Sequence, residues 1–241
     1  MPLKVLIISE KIMKIFIYLL LATAFIHAED HSILQYTGVD STHESGVTYH
    51  LERNIPKECF ELKVTNTTVW TGNYAEKSVP EQCKGTLVQT VGKLSPMHMA
   101  EGIESYGELE VLNFIKEMAS NKELVLVDSR GVDWYEYDTI PGAVNYWFAM
   151  VKDPQKYADE FEFMLDELHV KKRSDGTYDF SQAKTMLLFC NGPWCGQSPA
   201  AIRGYLKIGY PVTKMKWYRG GMHVWKSLSM TSTRSTPKKK Q

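Results

Sequence analysis

The sequence carries no excess of charge of either sign. Lys plus Arg and Asp plus Glu both number 28, so nothing in its bulk electrostatics draws it to nucleic acid. It has only four cysteines among 241 residues, too few for a scaffold built mainly from disulfides. Its histidines stand at 27, 31, 43, 50, 98, 169 and 223 with no ligand-like pairing near a cysteine, so neither a metal nor another cofactor is called for. No apolar run attains the ~20 residues of a membrane-spanning helix. What remains, 44% hydrophobic and 23% charged, is the composition of a globular protein with one substantial core.

The first 28 residues read differently from the rest. Lys11 and Lys14 precede "IFIYLLLATAFIHA", which ends in the small residue Ala28 before the polar "EDHS". That order of charge, short apolar core and small residue predicts a cleaved signal peptide over 1–28, with Met13 opening a more typical leader than Met1. Removing it deletes three Lys and one Glu, leaving 25 positive and 27 negative side chains, a net charge of −2. The expected product is exported, periplasmic in a bacterium and otherwise secreted, with no stable membrane span. An oxidising compartment lets thiols pair, so Cys59 and Cys83, flanking the turn-rich "TNTT", "TGNY" and "SVPEQ", are expected to form a disulfide worth roughly 3 kcal/mol of loop entropy.

Four regions follow: the leader, an irregular and mainly extended appendage over 29–100, an α/β domain over 101–233, and a basic tail over 234–241. Within the domain, Leu109, Leu112, Phe114, Ile115 and Met118 keep helical spacing. "ELVLVDSR" is a short apolar run suited to a buried parallel strand. "GVDWYEYDTIPGAVNYW" suggests a helical turn, a Pro-Gly break and a short strand. "DPQKYADEFEFMLDELHV" is amphipathic, with Tyr157, Phe161, Met164, Leu165 and Leu168 on one side. After the polar turn "KKRSDGTYD", the strand "TMLLF" leads to a helix closing near Gly209, and "VTKMKWYRGGMHVW" reads as a last strand and a turn. Alternating strands and helices imply a parallel sheet covered on both faces.

The chemistry concentrates at "CNGPWCGQSP", residues 190–199, where the buried strand turns into the helix. A loop curling round a sulfur at a helix N-terminus aims backbone N–H groups at it and adds the helix dipole, both favouring thiolate. Gly192 and Gly196 permit the close approach such a cradle needs, and Cys190 is the expected nucleophile. Pro193 and Trp194 stiffen and shield the loop, or Trp194 docks a partner. Trp225 reads as core packing and His223 as a rim residue. Positions 191–198 hold no Arg to close a phosphate loop, which argues against a phosphatase.

Four pieces in order, "LVDSR", "IPGAVN", "LLFC" opening a Gly-containing loop into "AAIRGYLKIGY", and "RGGMHVW", make residues 101–229 resemble a rhodanese domain of the sulfurtransferase superfamily. The resemblance implies that Cys190 ends the central strand and carries sulfur as a persulfide, taken from a small sulfur-containing donor and passed to a thiol acceptor. Three departures bear on thiosulfate as the donor. Asp138 and Thr139 stand where the family usually has a His-containing turn. The loop is about two residues longer, so Ser198 takes the family's Ser position and Gln197 precedes it in place of Arg. Cys195 is an extra thiol, able to attack a Cys190 persulfide, release sulfide and leave a disulfide for an exported thiol reductant to reset.

Asn191 completes the loop's candidate substrate-binding residues, joined by Asp128 and Arg130 from the adjacent strand end. Arg130 either attracts an anionic donor at the rim or pairs with Asp128. Two other functions stay open: a dithiol oxidoreductase using Cys190 and Cys195, and a non-catalytic binding module.

Overall fold

A computed structural model describes residues 38–52, 54 and 94–234. The leader, Cys59, Cys83 and the tail beyond Arg234 lie outside the described residues, as do the expectations attached to them.

Five short parallel strands make the central sheet, in the order β3-β9-β8-β4-β5: β3 (Glu104–Tyr106), β9 (Met215–Tyr218), β8 (Thr185–Phe189), β4 (Leu124–Asp128) and β5 (Ala143–Asn145). β4 and β8 pair in register from Leu124↔Thr185 to Asp128↔Phe189. Residues 125–128 and 186–189 are all buried, because a strand between two helical layers has no solvent face and must be apolar throughout. Parallel pairing requires a crossover after each strand. Helices α1 (Glu108–Met118), α2 (Val132–Tyr137), α3 (Phe148–Lys152), α4 (Ala158–Glu167), α5 (Gln197–Lys207) and α6 (Gly221–Ser227) lie in those crossovers or follow the last strand. The architecture is therefore the α/β sheet expected.

One core joins alternate strand residues, Val125, Val127, Met186, Leu188, Met215 and Trp217, to the apolar sides of α3, α4 and α5. α1 buries Val111, Leu112, Phe114 and Ile115, its first turn braced by the Glu110 carboxylate accepting the Gly107 N–H at 3.0 Å. Gly209, at φ +89°, closes α5 in the left-handed conformation, and Tyr210 N–H returns to Tyr205 O at 2.9 Å.

Two local readings are corrected. Residues after Gly220 do not turn back but form α6, whose buried Met222 and Trp225 give it an apolar side. "KKRSDGTYD" is more than a polar turn: Lys171–Lys172 (β6) and Tyr178–Asp179 (β7) pair as a small antiparallel hairpin. Within 29–100, Val39–Thr42 (β1) and Thr48–Leu51 (β2) form a hairpin. It is tied to the domain by Ser41 Oγ donating to Pro141 O at 2.7 Å and by Thr231 N–H donating to Glu52 O at 3.0 Å.

α3 and α5 pack with almost no gap at Gly204, where an added Cβ falls 2.8 Å from Val151 O. The contact is to backbone, which cannot swing aside. Gly204→Ala should destabilise the fold by about 1–3 kcal/mol through overpacking, read as a lowered midpoint in thermal denaturation, even though Ala is the better helix former.

Candidate active site

The loop after β8 is held from both sides. In front, Cys195 N–H closes a turn on Gly192 O at 2.9 Å, and Ala200 N–H reaches Gly196 O at 3.0 Å to start α5. Pro199 is tolerated in that first turn because its missing N–H would have had no intrahelical partner. Behind, the start of α6 grips the strand end: Met222 N–H donates to Cys190 O at 3.0 Å and His223 N–H to Asn191 O at 2.8 Å. Gly221, at φ +55°, makes this possible, since a Cβ there would fall 2.3 Å from Cys190 O.

Both sulfurs are buried, Cys190 at 2% and Cys195 at 5% exposure, and neither is bonded as a disulfide. Their surroundings are polar. Ser198 Oγ donates to Cys190 Sγ at 3.0 Å and accepts from Trp217 Nε1 at 3.0 Å, so the indole fixes the hydroxyl's direction. Cys190 Sγ lies 3.5 Å from the Cys195 carbonyl oxygen. Cys195 Sγ in turn lies 3.9 Å from Gln197 Oε1, and the backbone N–H groups of Asn191 and Gln197 favour charge on Cys195 while that of Ser198 favours it on Cys190.

The two sulfurs differ in how readily they ionise. Burial, followed by the neighbouring Cys195 sulfur, pushes the Cys190 thiol well up. The hydrogen bond from Cys190 brings Cys195 down to about 6, against burial, with the Gln197 and Asn191 amides and the Arg130 charge contributing. Of the coupled pair, Cys195 is thus the sulfur that gives up its proton more readily.

Asp128, expected among the substrate-binding residues, has no free face. Its carboxylate is fully buried, accepting from Arg130 Nε at 2.9 Å and Nη2 at 2.7 Å, from Arg130 N–H at 3.0 Å and from Thr139 Oγ1 at 2.8 Å. Arg130, only 2% exposed, is thus paired as one of its two readings held. Its Nη1 donates to Asn191 Oδ1 at 3.1 Å and its Nη2 to Asp138 O. The pair is a truss between strand end, α2 and loop; it positions Asn191 and takes up the Arg130 charge.

A cavity of about 510 Å³ opens beside the loop. Asn191 and Trp194 face it from the loop, Trp134 and Tyr137 from α2, and His223 and Lys226 from α6. Gln197 is half-buried and Pro193 likewise, while Gly196 is exposed and Gly192 is buried against His223 Cβ. Trp225 is fully buried, as core packing requires, with Nε1 donating to Thr231 O at 2.7 Å. Sequence reasoning missed Trp217, Trp134, Tyr137 and Lys226. The first sits in an ordinary apolar strand, and the others lie on short helices whose facing is set by tertiary structure. It also missed Ser95, whose N–H donates to Pro193 O at 2.7 Å and whose carbonyl accepts from Arg219 Nε at 3.0 Å, clasping the loop from outside.

Among the described residues no cluster of His, Cys, Asp and Glu is arranged to hold a metal ion, and no helix is long and apolar enough to cross a membrane.

Residues 112–228 match the family described as "Rhodanese-like domain". No curated protein matches the chain. Among solved structures, the chain is similar to a rhodanese from E. coli at 19% identity over 46% of this chain and 99% of that one, TM-score 0.29. It is also similar to the BH2092 protein from Bacillus halodurans, at 18% identity over 52% of this chain and 72% of that one, TM-score 0.35. A thiosulfate sulfurtransferase from Pseudomonas aeruginosa matches at 18% identity and TM-score 0.35, over 56% of this chain but only 21% of its own length.

Two outcomes follow from this geometry. Asp128→Ala strands a buried guanidinium and should cost about 3–5 kcal/mol, measured by denaturant unfolding. Thiolate absorbance should rise as pH increases through about 6, where Cys195 ionises; Cys190→Ala, which deletes the hydrogen-bond donor, should move that rise to higher pH. The sign is fixed because losing a donor to the anion favours the protonated form.

Proposed function

With a rhodanese-like domain occupying residues 112–228, we propose that the chain is a sulfurtransferase that carries sulfane sulfur as a persulfide on Cys190. The observation that carries this reading is Cys190 Sγ at the end of the central strand, accepting from Ser198 Oγ at 3.0 Å and lying 3.5 Å from the carbonyl of a second cysteine, Cys195, in the loop that starts α5.

Cys195 acts first as base. Proton transfer between the neighbouring sulfurs converts Cys190–SH and Cys195–S⁻ into Cys190–S⁻ and Cys195–SH, so no charge is created or lost. The Cys190 thiolate attacks the outer sulfur of a donor S–X; the S–S bond forms, the S–X bond breaks, and X⁻ leaves with the bonding electrons. Ser198 Oγ and N–H remain on Cys190 Sγ and steady the anion before attack. An acceptor thiolate then takes the outer sulfur and returns Cys190 to thiolate.

A second exit uses the same neighbour: Cys195 thiolate attacks Cys190 Sγ, hydrosulfide leaves, and a Cys190–Cys195 disulfide forms. A dithiol reductant supplies the two electrons that reset it. The apolar leader supports placing this cycle outside the cytosol, with an exported reductant. The depressed Cys195 thiol also favours a dithiol oxidoreductase as the second reading, in which the disulfide itself is the product passed on.

Intact mass spectrometry of the full chain after exposure to a thiosulfonate or polysulfide should show the gain of one sulfur atom, mapped by peptide analysis to Cys190. Cys190→Ser should abolish the gain. Cys195→Ser should retain a slower gain and lose sulfide release. No gain from any donor, together with reversible disulfide formation between the two thiols, would establish the oxidoreductase instead.

A further inference from the structure

The cavity beside the loop is lined in a way that selects its occupant. Trp134, Tyr137, Trp194 and Met222 supply ring and thioether surface, and Trp134 and Tyr137 stand 53% and 61% exposed, unusual for residues of their size. Its two permanent cations are already neutralised. Arg130 is bidentate on Asp128, and Lys226 is ion-paired with Asp138. Arg234 lies over the Tyr137 ring at 5.0 Å. A small dianion entering here would shed water to meet cations at Arg130 and Lys226 that already have carboxylate partners, which weakens its gain. A planar apolar body instead gains ring contacts and displaces water from exposed aromatic faces. At about 510 Å³ the space far exceeds what a bare inorganic sulfur anion fills.

We propose that this cavity binds the apolar body of an uncharged, aromatic organosulfur substrate, and that the protein selects such compounds over inorganic thiosulfate. The inference rests on the sulfurtransferase reading for what happens to the sulfur, but binding itself does not depend on it. Asn191 and Trp194 both belong to the loop that carries the two thiols, so a ligand against those side chains touches that loop. α2 supplies selectivity through Trp134 and Tyr137. α6 supplies the floor, through Met222 and His223.

The test uses full-length Cys190→Ser protein, which cannot take up sulfur at that position, and thioanisole as an unreactive neutral probe, with sodium thiosulfate as the inorganic comparison. Two-dimensional NMR of the tryptophan indole N–H groups, assigned by substitution, reads binding. Thioanisole should shift the Trp134 and Trp194 signals saturably, and thiosulfate at equal concentration should neither reproduce nor reverse the shifts. Trp134→Ala should weaken thioanisole by roughly tenfold, the loss of one aromatic contact. Phe163→Ala, an exposed ring on α4 outside this cavity, should leave binding unchanged. Unshifted Trp134 and Trp194 signals, or displacement of thioanisole by thiosulfate, would overturn the proposal. Saturable thioanisole binding in a protein whose wild type never gains sulfur would uphold this cavity while removing the sulfurtransferase reading.

Discussion

A carboxylate with no exposure to water must be surrounded by donors or lose its charge. Asp128 is such a group, and the fold around the thiols is organised by how it is satisfied. Arg130 supplies three of its donors and Thr139 a fourth, while the same guanidinium extends to Asn191 in the loop and to the Asp138 carbonyl at the end of α2. One ion pair therefore fixes the end of β4, the break after α2 and the first residue beyond Cys190. The placement of Asn191 in the loop follows from it, and the Arg130 charge is the smallest of the influences on Cys195.

The sulfurs divide labour by position. Cys190 is at the end of a central strand, where burial opposes charge, and in the proposed relay it acquires a thiolate by handing its proton sideways. Cys195, a few residues on, collects the loop's inward-facing amides and can hold that charge. Ser198, oriented by Trp217, is the remaining contact that favours ionisation of Cys190 itself.

Much of this was legible in the residues. The runs "LVLVD" and "TMLLF" are apolar throughout because both strands are central, and the paired cysteines and glycines between strand and helix marked the reactive loop. Gly209 ended α5 where its spacing indicated. Other features resisted reading for physical reasons. α6 was hidden because Gly220 and Gly221 suggest a turn, whereas the second glycine's positive φ starts a helix that must approach the Cys190 carbonyl closely. The different environments of the two thiols were hidden because the direction of each backbone N–H depends on how the loop curls, which residue types do not state. The facing of Trp134 and Lys226 depends on packing between elements distant in sequence.

Ser95 belongs to the stretch before the first domain helix, yet its backbone bridges Pro193 in the loop and Arg219 beyond the last strand. β3, an edge strand of the sheet, also lies upstream of residue 112. An excised fragment beginning where family similarity begins would thus arrive with its outer clasp undone and a sheet edge bare. The functional unit measured by hydrogen bonds is longer than the one measured by kinship.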